Sequence, residues 1–345
     1  MNITPFINDI LSQPEILTKS IPQYDVTSLK SIQQDLSSGI IDRIIITGMG
    51  GSLYAGYAAW LILTQHGLPA TIVDAAELLH YTPQLITPTS LVWMISQSGR
   101  SAELIPLVEV VKNKGAHLLC TTNHLNSPLA KASRVAMPIH SPTELTVSTV
   151  TFTTTLAAIQ LAALALCGQP IESARQDLLW TAAAMGVYLQ KWEDHVLSLQ
   201  QQIGLNNKLY IVGRGPSLPA AMCGSLIQSE AAKMAVIGLN AAEFRHGPYE
   251  LGAPDLTILI LAGAEKTRSL NQKLCENLLG FQSKAFWVSD QPAAGLPWIE
   301  MPAWHSFGMP LAEIIPLQLL TIALANQKNL EDGKFFHSGK ITLSE

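Results

Sequence analysis

Arg43-Ile44-Ile45-Ile46-Thr47-Gly48-Met49-Gly50-Gly51-Ser52-Leu53 is an apolar run that breaks into a glycine-rich turn and passes straight into an Ala/Leu-rich stretch of helical spacing. A counterpart lies in the other half of the chain, Leu209-Tyr210-Ile211-Val212-Gly213-Arg214-Gly215-Pro216-Ser217-Leu218, and it too leads into a helix. Gly48 and Gly50 match Gly213 and Gly215 in position. A strand that stops on glycine and turns at once into a helix opens a βαβ unit. Working outward, both halves repeat the same order: a second apolar strand at 91–95 and 256–261, a helix, and a third strand at 116–120 and 285–288. A short extended piece with a Met-Pro step follows at 135–138 and 299–302, and a long apolar helix closes each half at 155–166 and 311–325. Strands alternating with helices of this length require parallel sheets with right-handed crossovers. The expected fold is therefore α/β: two tandem flavodoxin-like three-layer αβα domains. The expected organisation is a helical leader at 1–35, a first domain at 36–170, a Gln/Ala/Leu-rich helical connector at 171–202, and a second domain at 203–345 that includes the C-terminal tail.

Composition narrows the function classes. The chain has 345 residues, 48% hydrophobic and 14% charged, which suits strands buried on both faces of parallel sheets. A net charge of -5 with no Lys/Arg cluster excludes a nucleic-acid surface, which needs a basic stripe to neutralise phosphates. Cys120, Cys167, Cys223 and Cys275 are far apart, with no Cys-x-x-Cys and no histidine at ligand spacing, so reduced core thiols and no metal are expected. The apolar stretch near 156–166 is interrupted by Gln160 and is too short to span a bilayer, so no membrane association is expected. Met1-Asn2-Ile3-Thr4-Pro5 lacks the basic and apolar regions of a signal peptide, which makes a cytoplasmic location the expectation.

Two loops could hold a ligand. Glycines directly after a strand let backbone N–H groups approach an anion at the start of the next helix. A dinucleotide site is the rival reading, with Gly48 and Gly50 in the turn and Asp74 at the end of the next strand as the ribose-binding acid. It weakens at the third glycine position, which is Leu53 in one copy and Leu218 in the other. No nicotinamide or other cofactor is expected. The second loop, Ser96-Gln97-Ser98-Gly99-Arg100-Ser101, follows a buried strand and leads into a helix. One serine would suit an ordinary N-cap; three hydroxyls and an amide around a helix start make a phosphate site without metal or lysine. The corresponding loop of the second half, Leu261-Ala262-Gly263-Ala264-Glu265, has lost the hydroxyls, so the halves have specialised.

The second half carries three further candidates. Glu230 lies in an apolar, Ala-rich helix, where burial would raise a carboxyl toward the working range of a general base; a salt bridge to Lys233 is the bland alternative. His246, between Arg245 and Gly247-Pro248, lies in a turn. Lys340 sits on a polar tail that would ordinarily be loose, with Phe335-Phe336 ahead of it as an anchor.

With these pieces in place, nearly the whole chain resembles the sugar isomerase (SIS) family, and within it the isomerase halves of glutamine–fructose-6-phosphate aminotransferases and the single-chain phosphosugar isomerases and deaminases. The resemblance rests on Gly50-Gly51-Ser52, the 96–101 loop, Gly213-Arg214-Gly215, Ala242-Glu243-Phe244-Arg245-His246-Gly247-Pro248, the leader 10–14, and Lys340-Ile341-Thr342. It implies that Ser52, Ser96, Gln97, Ser98 and Ser101 hold a sugar phosphate. It further implies that Gly50, Gly51, Glu144 and Val147 line the sugar, that Glu230 transfers a proton, and that His246 opens the ring. Lys340 would form an imine with the ketose carbonyl. His246 reaches a neighbouring subunit's site in that family, so the resemblance implies a homodimer.

The chain also departs from the pattern. It begins at the sugar domain, so glutamine-dependent amino transfer is not expected. Cys223 and Ile227 stand where the aminotransferases carry a glutamate and a lysine on the helix of the catalytic acid, and Val150, after Glu144-Leu145-Thr146-Val147-Ser148-Thr149, stands near where many relatives carry lysine. The expected activity is that of a phosphosugar isomerase or aminosugar-6-phosphate deaminase. A fructosamine-phosphate deglycase or a non-catalytic sugar-phosphate sensor are the alternatives.

Overall fold

The structure, a computed structural model, describes residues 2–205, 208–337 and 339–342. The elements begin with α1 (Pro5–Ser20), α2 (Lys30–Ser38), β1 (Arg43–Gly48), α3 (Gly50–Gln65), β2 (Ala70–Asp74), α4 (Ala75–His80) and β3 (Ser90–Ile95). Next come α5 (Leu104–Asn113), β4 (His117–Thr122), α6 (Pro128–Ala132), β5 (Val135–Pro138), α7 (Val150–Leu166), α8 (Glu172–Leu189) and α9 (Trp192–Gln202). The remainder is β6 (Lys208–Gly213), α10 (Leu218–Ala231), β7 (Val236–Asn240), α11 (Ala241–Phe244), β8 (Leu256–Leu261), α12 (Glu265–Gly280), β9 (Lys284–Ser289), β10 (Trp298–Glu300) and α13 (Met309–Gln327).

Two compact units result. One comprises residues 16–143, 150–176 and 337–345; the other comprises 1–15, 144–149 and 177–336. The first contains a five-stranded sheet in the order β2-β1-β3-β4-β5, parallel throughout, with Ile45 opposite Thr71 on one side and Val92 on the other. After β1 the chain leaves to one side for β2 and returns on the other for β3, so a crevice opens above the carboxyl ends of β1 and β3. One face is packed by Val92, Met94 and Leu118 against Leu104, Leu107 and Val111 of α5. On the other face Gly56 lets α3 settle on the sheet, since a Cβ there would lie 3.0 Å from the Ile46 side chain. The buried threonines of α7 satisfy their hydroxyls within the helix, Thr154 donating to the Val150 carbonyl at 2.8 Å and Thr155 to Thr151 at 2.6 Å.

The second unit has the order β10-β9-β8-β6-β7, again wholly parallel, with its crevice above β6 and β8. Its core joins Val212, Ile258, Ile260 and Trp287 to Phe244, Leu274 and Leu278. Gly224 lets α10 approach α13: a Cβ there would lie 3.1 Å from Leu317 Cβ. The helical segment Ser306–Gln327 is, contrary to the sequence expectation, long and apolar enough to cross a membrane by length and composition, yet 94% of its apolar window is buried inside the protein. Its hydrophobicity serves the core of the second unit.

Both three-layer parallel sheets agree with the expected α/β class. The edge strands β2 and β7 complete the five strands of each sheet, and their residues are mostly half-buried.

Candidate active site

The glycine turn of the first unit is built by close packing. A Cβ on Gly48 would lie 2.7 Å from the main-chain oxygen of Ile95, so only glycine lets β1 and β3 end side by side. Met49 is extended, and Gly50 adopts a left-handed φ of +51°. Gly51 and Ser52 then lie in the first turn of α3, whose N-terminus has no side-chain cap. Asp74, the acid of the dinucleotide reading, is occupied otherwise: it is the N-cap of α4, accepting from the Ala76 N–H at 2.8 Å and the Glu77 N–H at 3.4 Å.

Across the same crevice the serine loop leaves β3. Ser96 and Ser98 are buried, and their hydroxyl oxygens accept the N–H groups of Gly99 (3.1 Å) and Arg100 (3.2 Å). Each hydroxyl accepts one bond, so its O–H is left to donate. The Gln97 carbonyl accepts from the Asn123 N–H and the Thr122 hydroxyl, which fixes the loop to β4 and leaves the Gln97 amide half-exposed. Gly99 has φ +61°, and a Cβ there would lie 2.6 Å from Ser127 Cβ. The helix α5 starts at Leu104, and Ser101 supplies the carbonyl that accepts the Leu104 N–H. The tail belongs to this unit. Thr342 accepts the Ala102 N–H at 3.2 Å beside the loop, two residues beyond the half-buried Lys340.

The second unit holds the remaining candidates. Glu230 is half-buried in the last turn of α10, rather than deep within the helix. Lys233, whose own φ is +53°, donates its ammonium to the main-chain carbonyls of Glu230 and Lys334 and lies over the Phe336 ring. Glu144 is buried and accepts both the N–H and the hydroxyl of Thr149, at 2.7 and 2.8 Å, while Val147 is packed in the core beside it in sequence. Burial first, then the negative fields of Glu230 and Glu144, pushes the Cys223 thiol far up its range, so these two carboxyl groups share the neighbourhood of one cysteine. His246 is exposed in the turn after α11, held by its N–H to the Glu243 carbonyl at 2.8 Å. The candidates thus divide: Gly50, Gly51, Ser52, Ser96, Gln97, Ser98, Ser101 and Lys340 lie in one unit, and Glu144, Val147, Glu230 and His246 in the other.

The four cysteines are free thiols, and among the described residues no group of His, Cys, Asp and Glu is arranged to hold a metal ion. One polar cluster escaped the sequence reading. Glu313, on the apolar α13, is 1% exposed and accepts the Ser217 hydroxyl at 2.8 Å; burial pushes its carboxyl up to about 8, against the smaller opposing pulls of Ser217, Arg268 and Gly263. A lone glutamate in an otherwise apolar helix was the available signal.

Comparison with known proteins adds relatives to this geometry. A family model described as the SIS domain matches residues 41–165. The chain is similar to a glutamine–fructose-6-phosphate aminotransferase [isomerizing] of Zymomonas mobilis, 28% identical over 92% of this chain and 55% of that protein; it spans about half the length of the curated relatives it matches. Its fold is that of the C-terminal domain of glucosamine-fructose-6-phosphate aminotransferase from Francisella tularensis, with a TM-score of 0.86, 22% identity, and coverage of 96% of this chain and 98% of that one. It is also that of a glucosamine-6-phosphate deaminase from Thermotoga maritima, with a TM-score of 0.76, 17% identity, and coverage of 98% and 99%. The glycine turn, the serine loop and all but the last residue of α7 fall in the segment that matches the SIS domain, residues 41–165.

Proposed function

We propose that this protein is a phosphosugar isomerase or aminosugar-6-phosphate deaminase acting by carboxylate-mediated proton transfer between C1 and C2. The observation that carries the reading is the pair of buried serines, Ser96 and Ser98, each of which accepts one loop N–H while its O–H remains to donate at the carboxyl end of β3. With Ser52, Gln97 and Ser101 they would clamp a phosphate, with Gly50 and Gly51 giving the ligand close access to backbone. Glu144 and Val147 would shape the sugar side.

The chemistry follows from this binding. His246 would assist opening of the pyranose ring, giving an aldehyde at C1. Glu230 would take the C2 proton and return it to C1 through an enaminol or enediol, the amine or hydroxyl at C2 becoming an imine or a ketone. For glucosamine 6-phosphate, water then adds to the C2 imine and ammonia leaves, giving fructose 6-phosphate. Lys340 would hold a ketose carbonyl as an imine, releasing water as it forms. As in the resemblance, His246 would serve a neighbouring subunit's site, which makes a homodimer part of the proposal.

The test is a substrate panel: glucosamine 6-phosphate, hexose 6-phosphates and a fructosamine 6-phosphate, with ammonia, ketose phosphate and free amine measured in parallel. The reading expects ammonia with fructose 6-phosphate, or aldose–ketose interconversion. Free amine and a hexose phosphate from the fructosamine alone would make the protein a deglycase. Binding without turnover of any of them would make it a sensor.

A further inference from the structure

The second unit rebuilds the first unit's crevice. Arg214 (φ -130°, ψ 147°) repeats the backbone of Met49 (φ -126°, ψ 147°), and Gly215 (φ +52°) repeats Gly50 (φ +51°). Ser217 follows Gly213 at the spacing by which Ser52 follows Gly48. The loop after β8 has no serine, and a side chain from α13 stands at this position instead. Glu313 accepts the Ser217 hydroxyl on Oε1 at 2.8 Å and also a main-chain hydrogen bond from Gly263. A Cβ on Gly263 would lie 3.3 Å from the Ser217 hydroxyl, so the two donors flank one spot.

The remaining groups at that spot are those an oxyanion uses. The 16-residue α12 starts there with Ala264 as N-cap, which leaves its first-turn N–H groups without a side-chain partner. Glu313 Oε2 is buried with no hydrogen-bond partner, and the Nε of Arg268 has no hydrogen-bond partner either but stands 3.9 Å from Glu265 Oε2; both residues line one cleft that has no room for a water molecule as it stands. Asp290 also lies on its wall, and Glu265 in the first turn of α12 is the acid paired with Arg268. One carboxyl thus fills part of a larger donor set, and two buried polar atoms stay unmatched.

We propose that the crevice above β6 and β8 is a second oxyanion pocket, of the first crevice's phosphate-accepting kind, held shut by the chain's own Glu313 carboxyl. Shortening that side chain frees the Ser217 hydroxyl, the Gly263 N–H and the α12 N-terminus for a tetrahedral oxyanion, with Arg268 as the neighbouring cation. The inference is independent of the catalytic reading, since it concerns only the second unit.

Calorimetric titration of wild-type protein and Glu313→Ala with inorganic phosphate tests it. The first crevice is the same in both proteins, so it contributes equally. Glu313→Ala is expected to bind one more phosphate per chain than wild type, and the double variant with Ser217→Ala is expected to lose that extra site. Equal stoichiometry for wild type and Glu313→Ala overturns the proposal. Should Glu313→Ala not fold in chloride buffer, refolding in phosphate at matched ionic strength decides: recovery in phosphate alone supports the pocket, because a ligand that binds only the native state stabilises it, and failure in both overturns it.

Discussion

At the scale of the residue, the informative groups are those whose surroundings conflict with their chemistry. Glu313 is an acid in the apolar interior, and burial lifts it from 4.5 to about 8. Between those values the unfolded chain is ionised while the fold keeps the proton, so the native state binds more protons there. The stability this lends is present in full below about pH 4.5, falls as pH rises and is lost above about pH 8. Each unit of pH corresponds to about 1.4 kcal/mol, so the loss is on the order of a few kcal/mol. Urea unfolding at pH 5.5 and 8.5 should show a larger loss for wild type than for Glu313→Gln; parallel losses would contradict the assignment. Gly99 poses a conflict of another kind. Its φ of +61° and the 2.6 Å separation a Cβ would have from Ser127 Cβ leave no room for alanine. Left-handed backbone alone disfavours a non-glycine residue by about 1–2 kcal/mol, so Gly99→Ala should be destabilised by roughly that or more and should bind sugar phosphates more weakly. Wild-type affinity in that variant, read by calorimetry, would mean that the loop is not the phosphate clamp.

At the scale of the element, the two halves use one set of devices. Asp74 and Asn240 each end an edge strand and cap the short helix that follows, accepting the Ala76 and Ala242 N–H groups at 2.8 Å. Replacing either with alanine should lower stability by about 1 kcal/mol in thermal or urea unfolding and leave sugar-phosphate affinity unchanged. Loss of affinity in Asp74→Ala would revive a ligand-binding role for that acid. Strands β1, β3, β6 and β8 were legible in the sequence because both faces are covered and each run is apolar but for one or two polar residues. The edge strand β7 was not, since its short run Val236-Ile237-Gly238-Leu239 is broken by glycine and lies close behind the Ala-rich end of α10. The serine loop was legible as a strand-to-helix turn, but not its internal bonds: the Ser96 and Ser98 hydroxyls accept N–H groups inside the loop, and the helix starts at Leu104. Glu313 went unread because its partners, Ser217 and Gly263, come from turns 96 and 50 residues away in sequence, which only the folded sheet brings together.

At the scale of the whole molecule, the candidate residues are divided between two units with sheets of the same parallel kind. One unit carries the serine loop and the tail lysine, and the other carries Glu230 and His246, with Glu313 bonded to Ser217 at the turn after β6. If His246 serves a neighbouring chain, then Glu230→Gln and His246→Ala proteins, each inactive alone, should regain activity when denatured and refolded together, because a mixed dimer contains one site with both groups intact. Absence of rescue would place both groups in the service of their own chain. The central claim is that Glu230 moves the proton on a phosphosugar, and its most direct measurement is the release of ammonia and fructose 6-phosphate from glucosamine 6-phosphate by wild type beside Glu230→Gln. The account predicts turnover by wild type and a loss of at least about a hundredfold in kcat for the variant, the usual weight of a positioned general base, with sugar-phosphate affinity retained. Unchanged turnover in Glu230→Gln would contradict it.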